Sequence, residues 1–170
     1  GAGCCGWRAR ECDPGTGLWR RGAVPRGGAS LGLLVPHLAG TFHYLFNCVH
    51  AGKAPPHPAA LVATCERIYA RRVYPLARFV SFAEVDWVYC LHRAARHCDR
   101  VDAVRPMLRD FAAEYLAFLD ALDPDTDPGL DDLHALFGAT SALAELQNAI
   151  PGEIQTTRPL RLVLDRRPFL

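Results

Sequence analysis

A chain of 170 residues, half of them apolar, suits one domain with a sizeable core and is short for two. Its 19 basic and 18 acidic residues leave a formal net charge of +1, so no global field invites nucleic acid or an anionic membrane, and neither is expected as a partner. No apolar run approaches the roughly 20 residues of a membrane-spanning helix, and the expectation is a soluble, cytoplasmic protein.

The first 35 residues are loop-rich. "GAGCCGWRAREC" has neither a signal-type apolar core nor a fold period, and a chain opening on Gly1 without methionine leads us to expect further sequence upstream. In "DPGTGLW", residues 13–19, Asp13 and Pro14 open a turn for which Gly15 and Gly17 supply unusual backbone angles. Trp19 then either packs under that loop or forms the lip of a site. Seven cysteines are an odd number without a C-x-x-C pair. Cys48, Cys65, Cys90 and Cys98 fall in helical patterns and read as free thiols in a reducing compartment. Cys4, Cys5 and Cys12 lack standard ligand spacing, so no metal site is expected.

From residue 36 the apolar period is helical. Residues 36–51 open on a proline at the favoured first position and stop at Gly52; residues 58–72 open the same way. At residue 81, Ser-Phe-Ala-Glu predicts a capping box between Ser81 and Glu84, with Val80 and Val85 as its hydrophobic staple. Residues 99–122 form a longer helix offset near Pro106. A fifth helix follows "DPDTDPG", capped by Asp127, and ends near residue 150. "RPLRLVLD" alternates Leu160, Leu162 and Leu164 with polar residues, as a short strand or extended arm would. The chain thus divides into a loop-rich segment (1–35), a helical-hairpin domain (36–151) and an extended arm (152–170).

Placed at 100° steps, the helices separate into two kinds. Those at 58–72 and 99–122 carry one apolar stripe and read as outer helices. The helix from residue 81 is apolar on two sides, with Val85, Val88 and Tyr89 on one and Trp87, Leu91 and Ala94 on the other. The fifth helix repeats this, and its small run from Gly138 to Ala142 permits close approach to a neighbour. The first leans the same way, so the order is inner, outer, inner, outer, inner: an all-α array of two and a half αα-hairpins.

Each inner helix also carries a polar seam: His43, Asn47 and His50; Asp86, Cys90, Arg93 and His97; His134, Ser141, Glu145 and Asn148. Inner helices around a common cavity would aim these seams at a polar ligand. Asp86 is the leading acid/base candidate, since its helix is otherwise covered; burial would raise its pKa while the helix N-terminus and Arg93 would lower it. His43 and His134 are candidate partners, and Asp131 at i−3 would orient His134. The zinc-protease histidine pair, the G-x-S-x-G elbow and the phosphate-cradling glycine loop are all absent, and no cofactor is expected.

"DPGTGLW", a loop with Gly27 and Gly28, the inner helix "PHLAGTFHYLF", and "FAEVDWVYCLHRA" with its acidic residue together resemble the repeating unit of the α/α-toroid proteins. These include six-hairpin glycoside hydrolases, polysaccharide lyases and terpenoid-cyclase barrels. The resemblance implies a partial toroid in which Asp86, His43 and His134 perform acid/base chemistry on a carbohydrate-like substrate. Trp19 would be a stacking platform, and Asp13, Asp131 and Trp87 further binding residues. Two departures stand against it: the chain is under half the length of a closed ring, and the cyclase D-x-D-D motif is missing. The alternative is a non-catalytic helical array that associates with itself or with an upstream domain.

Overall fold

A computed structural model describes residues 10–19, 31–74 and 77–166. Cys4, Cys5, Gly27 and Gly28 lie outside these residues. The described chain is all-α, with helices α1 (Val35–His50), α2 (Pro58–Ala70), α3 (Ala83–Ala95), α4 (Val101–Asp120) and α5 (Leu133–Ala149). Single 3-10 turns occupy Leu31–Leu34, Pro128–Leu130 and Val163–Asp165.

Prolines open α1 and α2, where a missing amide proton costs nothing. The box before α3 is reorganised: the Ser81 hydroxyl accepts from the Ala83 amide at 3.0 Å and donates to the Glu84 carboxylate at 2.6 Å. Glu84 is thereby held by the hydroxyl, and the helix begins at Ala83. Helix α4 runs without a break through exposed Pro106 and starts at Val101, because Asp99 sits in the left-handed region at φ 54° and closes the preceding turn. Asp127 caps only the short 3-10 turn; Asp132, accepting from the His134 and Ala135 amides, caps α5.

The expected alternation reduces to one central helix. Every residue of α3 from Glu84 to Ala95 is buried, and α3 packs against α1, α2, α4 and α5 alike. Helix α5 is covered widely in its second half, where Ser141, Ala142, Ala144, Glu145 and Leu146 are buried, but stays open along its outer flank at the start, where Leu136 is half-buried and Leu133 and Phe137 are exposed. The small run does permit close approach, since a Cβ on Gly138 would lie 2.4 Å from the Phe82 Cα.

Both flanking segments pack onto this bundle. The opening turn is held by the Asp13 carboxylate, which accepts from the Gly15 and Thr16 amides and the Thr16 hydroxyl, each at 3.0 Å. Gly17, at φ 71°, presses so close to the start of α2 that a Cβ there would meet the Leu61 nitrogen at 2.5 Å. The arm forms no strand among the described residues, because a lone strand has no neighbour to satisfy its backbone. It lies instead against α1 and buries Leu164.

Candidate functional site

Helices α1 and α5 both pack on α3 without extensive contact with each other, which leaves a gap above the start of α3. A cavity of about 320 Å³ fills that gap. Its walls are mostly apolar: Phe42 and Phe46 from α1, Phe82 and Val85 at the start of α3, Phe137 from α5, and Leu164 from the arm. Four polar side chains interrupt them, Asp86, His43, His134 and Ser141. The three sequence candidates for acid/base work therefore line one chamber, each delivered by a different helix.

Asp86 forms part of the floor and is 3% exposed. Its carboxyl makes no hydrogen bond among the described residues, and the half-buried Tyr74 phenol lies close enough to feel its charge. Burial, with a smaller contribution from the Glu84 charge, pushes its pKa up to about 8. The opposing pull expected from Arg93 is absent because that guanidinium is committed elsewhere. Its raised pKa favours the neutral carboxyl at pH 7, the form that carries an O–H to donate.

His43 and His134 stand exposed at the mouth. Partial desolvation, then the neighbouring His134, lowers the His43 pKa. His134 meets the Phe82 ring edge-on, with centroids 4.8 Å apart. Asp131 is exposed, does not line the cavity and forms no bond to His134; the cap belongs to Asp132, so no base and orienter pair exists there.

The other expected binding residues lie elsewhere. Trp19 is 2% exposed and stacks on Tyr44 at 5.5 Å, so its ring offers no open face to a sugar. Its amide donates to the Thr41 hydroxyl at 3.0 Å, which pins the opening turn to α1. Asp13 is occupied by its own turn. Trp87 points away from the chamber into the core, where it stacks on Tyr69 at 5.0 Å and donates its indole N–H to the Cys65 carbonyl at 3.1 Å.

Sequence reasoning assigned Arg93 and Glu145 to separate seams and missed that they meet. Both Glu145 oxygens accept from the Arg93 guanidinium, and His92 Nδ1 lies 2.7 Å from Oε1. Asp165, from the arm, takes the remaining side of Arg93 at 2.9 Å. Burial alone would raise the Glu145 carboxyl, but the hydrogen bonds and charge of Arg93 and His92 hold it below its ordinary value. The signal was available: seams on two helices that pack together, one cationic and one anionic, have each other as the obvious partners.

Cys48, Cys65 and Cys90 are buried and Cys98 is half-buried. Burial pushes the Cys65 thiol up and the Cys90 thiol well up, which makes both inert as nucleophiles. Among the described residues no group of three His, Cys, Asp or Glu side chains is arranged to hold a metal ion, and no helix is long and apolar enough to cross a membrane. Comparison with family models, with curated proteins and with solved structures returns no match to this chain.

Proposed function

We propose that the chamber over the start of α3 binds a small, mainly apolar molecule carrying one hydrogen-bond acceptor, and that Asp86 donates a proton to that acceptor. The observation that carries this reading is a buried carboxyl with no protein partner at the floor of an aromatic-lined cavity. A carboxyl that opens onto an apolar cavity gains a partner when a ligand with an acceptor fills it. A pKa of about 8 also keeps Asp86 close to the working pH, where a general acid is most effective. Convergence of an apolar pocket, a few polar groups and a perturbed acid is a general mark of a ligand site.

The carbohydrate-like substrate draws less support, since the walls offer few partners to a ring of hydroxyls and Trp19 is covered. Calorimetric titration of the full chain with acetophenone, ethylbenzene and a methyl glycoside separates these cases. Acetophenone should bind about ten-fold tighter than ethylbenzene, the value of one hydrogen bond of roughly 1.4 kcal/mol. Asp86→Leu should erase that preference while keeping ethylbenzene. No binding of either aromatic probe, or an undiminished preference in Asp86→Leu, refutes the reading. Tightest binding of the glycoside would put the carbohydrate reading in its place.

A second reading, association through an apolar face, has its own observation. Leu133 is 82% exposed, and exposed Phe82 and Phe137 lie at the same chamber. Sedimentation equilibrium supports it if Leu133→Glu dissolves a dimer, and opposes it if the wild-type chain is a clean monomer.

A further inference from the structure

A second cavity, of about 290 Å³, lies between α5 and the terminal arm. It is lined by Phe137, Thr140 and Ser141 of α5 and by Leu160, Arg161 and Val163 of the arm. Phe137 and Ser141 also line the chamber over α3, and Leu164, the next residue after Val163, bounds the chamber from the arm. The two spaces therefore adjoin along one edge of α5. Ser141 stands at the threshold, small between the larger Phe137 and Leu164.

Two observations show that this threshold is not filled by the protein itself. Ser141 is 6% exposed, yet its hydroxyl makes no hydrogen bond among the described residues. A helical serine ordinarily bonds back to the preceding turn or reaches water; the neighbouring Thr140 hydroxyl does bond back, to the Leu136 and Phe137 carbonyls at 2.9 and 3.1 Å. The arm beside Ser141 is also loosely held. Its last hydrogen bonds to a helix before Asp165 are those that Gln147 makes to the Ile154 carbonyl and the Thr156 hydroxyl, and among the described residues none joins 157–164 to the bundle. Ligand pockets span about 300–1,000 Å³. The chamber, at about 320 Å³, sits at the lower limit of that range, and the chamber with its neighbour reaches the middle of it.

Resting on the chamber reading above, we infer that the ligand is elongated: its acceptor-bearing end occupies the chamber, and an unbranched apolar chain passes Ser141 into the cavity beneath the arm. Leu160 and Val163 then cover the chain from the arm and Phe137 from α5. The substrate class is a carbonyl compound with a long alkyl chain, lipid-like in shape, in place of a single compact ring.

Calorimetry of the full chain with acetophenone, butyrophenone and hexanophenone tests this. Each added methylene should tighten binding roughly two- to four-fold, as burial of a CH₂ predicts. Thr140→Trp, an exposed position that lines only the second cavity, should abolish the gain for hexanophenone and leave acetophenone binding and the melting temperature at wild-type values. A nuclear Overhauser effect from the terminal methyl of hexanophenone to the Val163 methyls locates the chain directly. Acetophenone binding with no gain along the series, an undiminished gain in Thr140→Trp, or an Overhauser effect to the His43 or His134 ring, where the chain would leave by the mouth, overturns the inference and leaves the chamber reading standing. Failure of all three ketones to bind removes both.

Discussion

The two ends of α3 each bury a carboxyl and treat it in opposite ways. Near the N-terminal end Asp86 is 3% exposed, without a protein partner, and its pKa rises to about 8. Near the C-terminal end Glu145, brought by α5 and 1% exposed, has its pKa lowered. Desolvation is common to both, so burial does not set the outcome. What differs is a guanidinium: Glu145 has Arg93 within hydrogen-bond distance on both oxygens, and Asp86 has an apolar cavity in front of it. One end of the helix is closed by paired charge, and the other is left incomplete.

The largest expected effect comes from breaking the paired end. Arg93→Met leaves Glu145 buried without its cation and should cost about 3–5 kcal/mol in urea denaturation. Converting both partners, as Arg93→Met with Glu145→Leu, should recover most of that loss, because the desolvation penalty disappears along with the attraction. If the double variant is as unstable as the single one, the pair does more than neutralise itself and the contrast between the two ends fails.

Next comes the contact that creates the open end. Gly138 lets α5 lie on Phe82, where a Cβ would approach the Phe82 Cα to 2.4 Å. Backbone on that side cannot yield as a flexible side chain would, so Gly138→Ala should destabilise by roughly 1–3 kcal/mol. It should also weaken binding of the aromatic probe, since Phe82 and Gly138 both line the chamber. Unchanged stability would mean that α5 shifts freely, and the cavity would then not be a fixed feature.

Asp86 gives a pH signature of intermediate size. Its folded pKa lies above the unfolded value, so the native state binds the extra proton between about pH 4 and pH 8 and stability falls as pH rises through that window. Glu145 has the opposite sign: its contribution is present above the ordinary carboxylate range and is lost as the solution is acidified. Asp86→Asn removes the first dependence and leaves the second. The variant should match wild type near pH 4 and exceed it at pH 7 by roughly 3–4 kcal/mol, which denaturation at a series of pH values reads directly. A constant difference across the series would mean that Asp86 is ionised in the folded protein.

Much of this fold was legible because it follows from local rules. Proline at the first helical position placed the starts of α1 and α2, and the two-sided apolar pattern from Val85 to Ala94 marked α3 as a covered helix. Asp86, His43 and His134 read as residues of inner-helix seams, and these three side chains line one chamber with Ser141, while the rest of the seams lie elsewhere. Information that depends on tertiary approach was hidden. The two-sided pattern of α5 could not reveal that one side would stay half-open, because Leu136 and Leu143 are apolar whether or not a neighbour covers them. Trp19 reads as a platform and Trp87 as a binding residue only while the packing around them is unknown; both are spent on the core. The cap of α5 passed from Asp127 to Asp132 because Asp127 is spent on the intervening 3-10 turn, and Asp131, expected to orient His134, stands exposed without a bond to it.

The smallest effect concerns the mouth of the chamber and tests whether its two imidazoles sense each other. His43 is held below its ordinary pKa first by partial desolvation and second by the charge of His134. An NMR titration of His134→Gln should therefore move the His43 midpoint upward only slightly, because the larger cause remains. Filling the chamber with the aromatic probe should move it downward further, since the probe displaces water from the same side of the ring. Because a depressed histidine pKa means that protonation is resisted, the probe should bind more weakly as pH falls through that midpoint, while Asp86 sets the loss at the alkaline side. Probe affinity should then be bell-shaped in pH. If His134→Gln leaves the acid limb in place and Asp86→Asn abolishes the alkaline one, the two limbs belong to the mouth and the floor of a single site, as their positions in α1 and α3 require.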